Sequence, residues 1–438
     1  MSEATFPIYQ KELKDRINSL IPGGAHTYSR GDDQFADNAP AVIVRGKGAY
    51  VWDADGKKYL DYGMGLRSVT IGYDQKEICD AAIAEIKKGN NMTKASMTEL
   101  LAAEKLLELF PGMDMVKFAT NGSTVTTAAT KLARAYTGRK LIARCIEHPF
   151  FSYDDWFIGD TVINRGVPEE ISKLTVNFKF NDIDSLKKLF DENKDQIACV
   201  MIEPTTHVQP KPGFMKQVEK LTHENSALLI SDEVSCTFRV GMAVYPMYDF
   251  MPDMVTIGKG IANGFAVDAL LGKREVMEIG GIRHNQERVF LISTTFGASM
   301  SGLGAMMATI DFFKEHDVLK HLWSYNQKLM DGVNAISNEL GIADKFYFEG
   351  FPGRLNFVTK DKDGNPSLEF RTLFSQEMIK NKIIMPWVTN CYAHKEKELA
   401  YTLKAIRKAL KVYKKALKKG VGNYLESRPI KPVFRKYN

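Results

Sequence analysis

The chain has 438 residues, of which 44% are hydrophobic and 26% are charged, and its net charge is +6. This composition is typical of a large globular protein and excludes collagen-like and disordered chains. No apolar stretch reaches the roughly 18 residues of a membrane helix, and the first residues lack the apolar run of a secretory signal, so we expect a cytoplasmic protein with no membrane partner. Cysteines occur at five scattered positions without C-x-x-C spacing, which disfavours disulfides and a metal site: Cys79, Cys145, Cys199, Cys236 and Cys391.

The positive charge is concentrated near the C-terminus. The segment 404–419 contains eight Lys or Arg residues and no acid, so it supplies more than the whole net charge. Within it, Ile406, Leu410, Tyr413 and Leu417 recur at helical spacing. We predict a surface helix that packs through this apolar stripe, and no nucleic-acid partner. Contact of the basic face with a membrane or RNA is the alternative.

The predicted elements begin with an amphipathic helix from Tyr9 to Leu20 and a β-meander over residues 41–65. From about residue 95, helical runs alternate with short apolar runs: KLIARC, ACVMIEP, ALLISDEV, MVTIGKG and ALLGK. Continuous apolar strands between helices are typical of a parallel sheet covered on both faces. A helix over His321–Leu340, the hairpin FYFEGFPGRLNFVTK and terminal helices then predict a smaller α+β lobe.

Polar residues follow the predicted strands, and these are the first candidates for a site. Glu203 follows ACVMI, Asp232 follows ALLIS, and Lys259 lies between two glycines after MVTI. The carboxyl ends of parallel strands meet in one crevice, where a buried Asp needs a cation. Pyridoxal phosphate (PLP) chemistry requires this pair, since a lysine binds the aldehyde and a carboxylate keeps the pyridine nitrogen protonated. A structural salt bridge between strand ends is the alternative.

The segment Thr120–Thr124 offers a phosphate anchor. It follows the run MVKFA and opens a predicted helix with small, hydroxyl-bearing residues and a glycine. Unpaired N–H groups and the helix dipole favour an anion there, although an ordinary N-cap uses the same residues. The segment does not match the G-x-x-x-x-G-K-[ST] loop, and no G-x-G-x-x-G follows a strand, so ATP and NAD are disfavoured.

The order of these segments resembles a known family. GKGAYVWDADGKKYLDY, KFATNGSTVTTAATKLARAYTGR, IEPTTHVQPKPGF, LLISDEVSCTFRVG, PDMVTIGKGIANGF and TTFG occur in that order. This succession is similar to the class III, fold-type I PLP aminotransferases, and within them most similar to the glutamate-1-semialdehyde 2,1-aminomutases. The resemblance implies an α/β fold with a mostly parallel seven-stranded sheet in a large domain (76–318). An N-terminal segment (1–75) would join a C-terminal small α+β domain (319–438).

The resemblance also implies roles around the cofactor ring. Lys259 would form the covalent bond to the PLP aldehyde and later move the substrate proton, while Asp232 would pair with the pyridinium. Val234 would pack against one face of the ring. On the other face the family has an aromatic residue in a Tyr-His-Gly segment, and here we select Phe150 from Pro149-Phe150-Phe151-Ser152. A phenylalanine of the core is the alternative for Phe150.

Further roles come from the same comparison of motifs. Glu203 matches the family's Glu-Pro and would hydrogen-bond near the cofactor oxygen. Asn121, Gly122 and Ser123 match its Ser-Gly-Thr phosphate loop. Thr295 matches the threonine that reaches the phosphate of the neighbouring subunit, so the resemblance implies a homodimer with shared sites.

The residues for the substrate are Arg30, Thr27 and Arg67. Arg30 aligns with an aminomutase arginine that holds the substrate carboxylate, with Thr27 assisting, although an arginine in a polar surface loop is the alternative. Where the aminomutase has Ser-Trp-Gly, this chain has Gly65-Leu66-Arg67. We hypothesise that this change opens the pocket and adds a second anion contact, as a sugar acid or phosphorylated aldehyde would need.

Three functions follow as hypotheses. The first is an aminotransferase that moves an amine between an amino acid and an aldehyde or ketone, and the second is an aminomutase that acts within one substrate. The third is a non-catalytic binding protein of the same fold, against which the presence of both Lys259 and Asp232 argues. The ending RPIKPVFRKYN also resembles relatives from surface-polysaccharide biosynthesis.

Overall fold

The computed structural model describes residues 6–437, with side chains from residue 10 onward. The chain divides into two compact units. One comprises Lys76–Leu319, and the other combines Met1–Gln75 with Lys320–Asn438. We call them the sheet unit and the terminal unit.

Two sets of elements build these units, and their bounds are as follows. The strands within residues 6–437 are β1 (Ile43–Lys47), β2 (Tyr50–Asp53), β3 (Lys58–Asp61), β4 (Met115–Ala119), β5 (Leu141–Cys145), β6 (Thr175–Phe178), β7 (Ile197–Ile202), β8 (Leu228–Asp232), β9 (Met254–Ile257), β10 (Asp268–Gly272), β11 (Phe346–Phe351), β12 (Arg354–Thr359) and β13 (Ile383–Ile384). The helices in the same part of the chain are α1 (Phe6–Leu20), α2 (Met64–Arg67), α3 (Lys76–Lys88), α4 (Met97–Leu107), α5 (Gly122–Thr137), α6 (Asp155–Ile158), α7 (Glu169–Ser172), α8 (Ile183–Glu192), α9 (Phe214–Glu224), α10 (Arg274–Met277), α11 (Met300–Glu315), α12 (Val318–Leu340), α13 (Leu368–Lys380) and α14 (Glu396–Lys419).

The sheet unit is built on seven strands in the order β4-β10-β9-β8-β7-β5-β6. The neighbours from β9 to β6 pair in parallel, whereas β10 runs antiparallel to both β4 and β9. Every residue of β5, β7, β8, β9 and β10 is buried. Their continuous apolar runs suit a sheet covered on both faces. The predicted α/β fold with a mostly parallel seven-stranded sheet is therefore confirmed.

The direction of the strands places their ends at one edge of the sheet. β4, β8 and β9 end there at Ala119, Asp232 and Ile257. Because β10 runs in the opposite direction, it begins at this edge with Asp268. Four neighbouring strands thus bring Asp232, Asp268 and the loops that follow β4 and β9 to the same edge.

The terminal unit has two small sheets, β1-β2-β3-β13 and the hairpin β11-β12. Both the predicted β-meander and the predicted hairpin are present. The predicted helix over His321–Leu340 begins earlier, at Val318. Val318 and Leu322 are both buried, so the apolar face starts one turn before the predicted first residue.

Helix α14 carries the basic segment of the chain. Ile406, Leu410 and Tyr413 are fully buried in the core of the terminal unit, and Leu417 packs against that core. The predicted apolar stripe is confirmed, and its burial orients the intervening lysines outward. In the described part of the chain, no helix is long and apolar enough to cross a membrane.

Candidate active site

Asp232, the last residue of β8, is held in a defined orientation. Its Oδ1 accepts hydrogen bonds from the Val234 N–H (3.1 Å) and from the Thr256 hydroxyl (2.9 Å). Thr256 lies on β9 and is the register partner of Asp232. Only 4% of Asp232 is exposed. Both of these hydrogen bonds end on Oδ1.

The surroundings of Asp232 disfavour a bare negative charge. Burial, followed by the Glu203 carboxylate, raises the pKa of Asp232 from 3.8 to about 7. The two hydrogen bonds and the charge of Lys259 oppose that change. A carboxylate in such a place is stabilised when a cationic donor binds beside it.

The next residue, Glu233, has a different task. Its carboxylate accepts hydrogen bonds from the N–H groups of Val244 and Tyr245, both at 2.7 Å, and from the Ser231 hydroxyl at 3.2 Å. These partners fix the loop that follows β8. In the Asp-Glu pair, the first acid is thus available for chemistry and the second stabilises the backbone.

Lys259 follows β9 after one glycine and lies in the electrostatic range of Asp232. Its φ of 49° is in the left-handed region, which a side chain other than glycine adopts at a cost of about 1–3 kcal/mol. The following residues form a short 3₁₀ turn, Lys259–Ala262, that is buried beyond the lysine. The backbone therefore presents the lysine at the sheet edge in a strained, fixed conformation.

The N-terminus of α5 lies at the end of β4. Asn121 is the N-cap, and its Oδ1 accepts from the Thr124 N–H at 2.9 Å. The Ser123 hydroxyl accepts from the Tyr153 N–H at 3.0 Å. The ordinary capping role is therefore present at Asn121, whereas the N–H groups of Gly122 and Ser123 in the first turn are positioned for an anion.

Val234 is half-buried and Phe150 is exposed. A Cβ on Gly122 would lie 3.1 Å from Val234 Cγ1, so the glycine leaves a shallow space beside this side chain. Phe150 is 47% exposed and meets Phe157 edge-on at 5.6 Å, whereas Phe151 is 2% exposed. The core phenylalanine of this segment is Phe151, which disfavours the alternative assignment of Phe150.

Glu203 lies beyond β7 and is 3% exposed. Its N–H donates to His148 Nδ1 at 3.0 Å, and its Oε2 accepts from the Ser235 hydroxyl at 2.6 Å. His148 packs between the rings of Phe151 and Phe180. The predicted acid is thus fixed by two partners that the sequence analysis did not identify.

Asp268 and Thr295 also belong to the sheet unit. Asp268, which the sequence analysis also missed, is 6% exposed and interacts electrostatically with Lys259 and Asp232. Thr295 lies in an irregular segment before α11 and is exposed. An exposed threonine suits the predicted contact with a second subunit, which remains a prediction.

The candidate substrate residues lie in the terminal unit. Arg30 lines a cavity of about 580 Å³, together with Asp61, Leu66 and Trp387. The Arg67 guanidinium lies 5.8 Å from the centre of the Trp387 ring. Thr27 precedes the short 3₁₀ turn of Arg30, whose N–H donates to the Thr27 carbonyl at 2.9 Å.

The backbone beside this cavity has an unusual conformation. Met64, Gly65, Leu66 and Arg67 all have positive φ, between 42° and 72°, and form one left-handed turn, α2. A left-handed turn costs about 1–2 kcal/mol for each residue that carries a Cβ. The Asp61 carboxylate supports the turn by accepting from the N–H groups of Gly63 (2.7 Å) and Met64 (3.0 Å).

The residues of the sheet unit fit pyridoxal phosphate. A buried carboxylate with a raised pKa suits the pyridine nitrogen, and a lysine at the neighbouring strand end suits the aldehyde. A glycine-containing helix N-terminus suits the phosphate. Val234 and Phe150, which the resemblance assigns to the two faces of the ring, are half-buried and exposed respectively, and these two roles stay predictions.

Comparison with known proteins gives the same result. The family model described as aminotransferase class-III matches residues 32–344. A 3-aminobutyryl-CoA aminotransferase from Cloacimonas acidaminovorans is 32% identical over 416 residues, which cover 92% of this chain and 97% of that protein. A glutamate-1-semialdehyde 2,1-aminomutase from Francisella philomiragia is 30% identical over 345 residues, with coverage of 74% and 78%.

A solved structure agrees with these relatives. The FumI protein of Sphingopyxis sp. MTA144, determined in its PLP internal aldimine form, superposes with a TM-score of 0.85 at 26% identity. The match covers 96% of this chain and 98% of that one. From the family match and from the carboxylate, lysine and helix N-terminus at the sheet edge, we conclude that this chain belongs to the class III aminotransferases and is a PLP-dependent enzyme.

Proposed function

We propose that this enzyme is an aminotransferase that moves an amino group between an amino acid and an aldehyde or keto acceptor with a carboxylate or sugar-like structure. The observation that carries the proposal is the pair of Asp232 and Lys259 at the ends of β8 and β9, with the N-terminus of α5 at the end of β4. Each group that PLP chemistry requires is contributed by a rigid part of the sheet unit.

Each residue then has a definite task. When bound, the cofactor supplies an aldehyde that accepts the substrate amine and a ring that takes up the electron pair of the broken Cα–H bond. Asp232 would hold a proton on the ring nitrogen, and Lys259 Nζ would take the proton from the substrate Cα and later return it. Val234 and Phe150 would pack against the two faces of the ring, and Glu203 would hydrogen-bond near the ring oxygen. The first turn of α5, at Asn121, Gly122 and Ser123, binds the phosphate.

The terminal unit supports an acidic substrate. Arg30 lines its cavity, and a guanidinium can bind a carboxylate through two parallel hydrogen bonds. Thr27 assists it, and Arg67 adds a second cation beside Trp387. Two cations favour substrates with a carboxylate and a further anionic group.

Two features favour aminotransfer between molecules over aminomutation within one. The match to an aminotransferase covers 92% of this chain, compared with 74% for the aminomutase. In addition, the Gly65-Leu66-Arg67 turn departs from the aminomutase motif in the proposed substrate region. Aminomutation remains the second candidate because Arg30 and its segment resemble that enzyme.

One experiment separates the two candidates. The holoenzyme is incubated with single amino acids, with and without an added keto acid, and both products are quantified. The panel includes glutamate, alanine and a β-amino acyl thioester of the type named for the Cloacimonas relative. We expect amine transfer beyond one equivalent per active site only when an acceptor is present, and the acceptor is then consumed in the same amount as the donor. Conversion of one amino aldehyde substrate without any acceptor would establish an aminomutase instead.

We further propose a homodimer in which Thr295 of each subunit completes the phosphate site of the other. The exposure of Thr295 and the family resemblance support this arrangement.

A further inference from the structure

Asp268 is the first residue of β10, and the direction of this strand determines its position. β10 runs antiparallel to its neighbours, so it begins where β4 and β9 end. Asp268 pairs with Ala119, the last residue of β4, and Ala269 pairs with Ile257, the last residue of β9. The side chain therefore originates between the loop that opens α5 and the loop that carries Lys259.

Two glycines leave room for the Asp268 carboxylate. A Cβ on Gly258 would lie 1.7 Å from Asp268 Oδ1, which no real structure tolerates, and a Cβ on Gly122 would lie 3.6 Å from the same oxygen. Gly258 has an extended backbone, which any residue can adopt, so its φ does not require glycine. The nearby Asp268 carboxylate requires it instead, because it leaves no room for a side chain. The carboxylate is packed against the residue that precedes Lys259, and only 6% of Asp268 is exposed.

The charges around Asp268 come from the neighbouring strand ends. Lys259, after β9, attracts its negative charge, and Asp232, on β8, repels it. Asp232 is in turn influenced by Glu203, beyond β7. Burial raises the pKa of Asp268 to about 7, against the influence of Lys259. Asp232 is assigned to the ring nitrogen. Among these strand-end residues, Lys259 is therefore the cation that can pair with Asp268.

We propose that Asp268 is a positioning residue, whose carboxylate orients the ε-nitrogen of Lys259 and sets the pH at which that nitrogen gains and loses its proton. The inference rests on the proposed function, in which Lys259 takes the substrate proton. In that step the Cα–H bond would break, an N–H bond would form on Nζ, and the electron pair would be taken up by the cofactor ring. Asp268 stabilises the resulting ammonium group.

The test compares the wild-type chain with Asp268→Asn, which keeps the shape and removes the charge. In the full-length cofactor-free protein, Lys259 is labelled with acetic anhydride across a pH series and quantified by peptide mass spectrometry. Removal of a nearby anion should lower the pKa of Lys259 by about 1 or more, so labelling below that pH becomes about tenfold faster. In the cofactor-loaded protein, the pH midpoint of the visible absorption should move in the same direction.

Asp114→Asn is the matched control. Asp114 is exposed and lies at the opposite end of the same strand pair, where its N–H donates to the Gly272 carbonyl. Asp114→Asn changes the net charge by the same amount as Asp268→Asn, and it should leave the pH midpoints of Lys259 labelling and of visible absorption unchanged. If Asp268→Asn does not fold, Asp268→Ser removes the same charge with a smaller side chain. Folded variants at position 268 that titrate like the wild type would overturn the proposal.

The failure of this inference is distinguishable from failure of the proposed function. A chain that binds the cofactor and transfers no amine between molecules contradicts the function, yet the Lys259 labelling midpoint is still measurable. Conversely, an active aminotransferase whose lysine titrates independently of Asp268 contradicts only the inference.

Discussion

The Thr256 hydroxyl donates a 2.9 Å hydrogen bond to Asp232 Oδ1, and the two residues are also register partners on β9 and β8. The bond therefore joins the central carboxylate of the site to the adjacent strand. Thr256 is fully buried, so its hydroxyl has no water with which to exchange this partner.

Thr256→Val should weaken cofactor binding, because the isosteric methyl group leaves Asp232 Oδ1 with one donor fewer. A hydrogen bond to a charged group is worth about 1.5–3 kcal/mol, which corresponds to about tenfold or more in the dissociation constant. The measurement is a fluorescence titration of the cofactor-free chain with PLP. Thr256→Ser retains the hydroxyl and should bind like the wild type; equal affinity of all three proteins contradicts the assigned role.

Asp232→Asn should change how the stability of the cofactor-free chain depends on pH. The folded-state pKa of about 7 lies above the ordinary 3.8, so the folded chain binds this proton more tightly than the unfolded chain. The associated stability is present below about pH 4 and is lost as the pH rises through about 7.

The Asn variant does not have this dependence, since its side chain does not ionise. We expect similar melting temperatures at pH 4 and a variant that is more stable by about 2 °C or more at pH 8. Glu233 behaves in the same direction and is present in both proteins. Asp268 loses the repulsion of Asp232 in the variant, which lowers the pKa of Asp268 and adds to the stability of the variant at pH 8. A difference that is constant across pH contradicts the assignment. In the loaded enzyme, Asp232→Asn should nevertheless lower turnover, because the ring nitrogen loses its anion.

Lys259→Ala should abolish the covalent link to the cofactor and lower turnover by about 10²–10⁴-fold or more. Borohydride treatment of the loaded wild type, followed by peptide mass spectrometry, should find the adduct at position 259. Lys117→Ala, at an exposed lysine of β4, is the control and should keep both the adduct and the activity. An adduct on another lysine in the loaded wild type would refute the assignment.

Mixing of two inactive variants tests whether the site is shared between subunits. In a mixed dimer of Lys259→Ala and Thr295→Ala chains, one site receives a native lysine from one subunit and a native threonine from the other. We therefore expect co-expression to restore activity above that of either variant. If Thr295 served the site of its own chain, no mixed dimer would contain an intact site, and activity would not increase.

Arg30→Ala should raise the KM for carboxylated substrates by about tenfold or more, because a charge-assisted hydrogen bond is lost. Arg30→Lys keeps the charge without the two parallel donors and should give a smaller change. The absorbance of the bound cofactor serves as a control and should be unaffected.

Arg67→Ala tests the second anion contact. If this variant has unchanged apparent affinity for every accepted substrate, the hypothesis that Arg67 binds an anionic group of the substrate is wrong.

The sequence identified the polar residues at the strand ends better than the residues that support them. Asp232 and Lys259 follow apolar runs, and the ends of parallel strands meet at one edge, so both were identifiable. Asp268 was missed because it precedes its apolar run. Only an antiparallel strand brings its first residue to that edge, and ALLGK carries no signal of strand direction.

The left-handed turn Met64–Arg67, in the proposed substrate region, was harder to predict for a different reason. Of the four residues in the left-handed turn, Gly65 alone favours positive φ, and Leu66 and Arg67 adopt it because the surrounding structure imposes it. Thr256 lies inside the apolar run MVTI. The sequence does not show whether a threonine there hydrogen-bonds to Asp232 or only fills space in the strand. His148 and Ser235 are close to Glu203 only in the folded chain.

The antiparallel strand β10 offers one position, 268, at which the pH dependence of the enzyme could be changed. Position 268 lies on a strand and not in a loop, so, on the role proposed for Asp268, a substitution there would change the protonation of the lysine without altering a loop or its length. Gly258 limits the range of tolerated side chains, since any residue at 268 must share space with it. Directed evolution for a new pH optimum would therefore do well to randomise 268 while leaving 258 untouched.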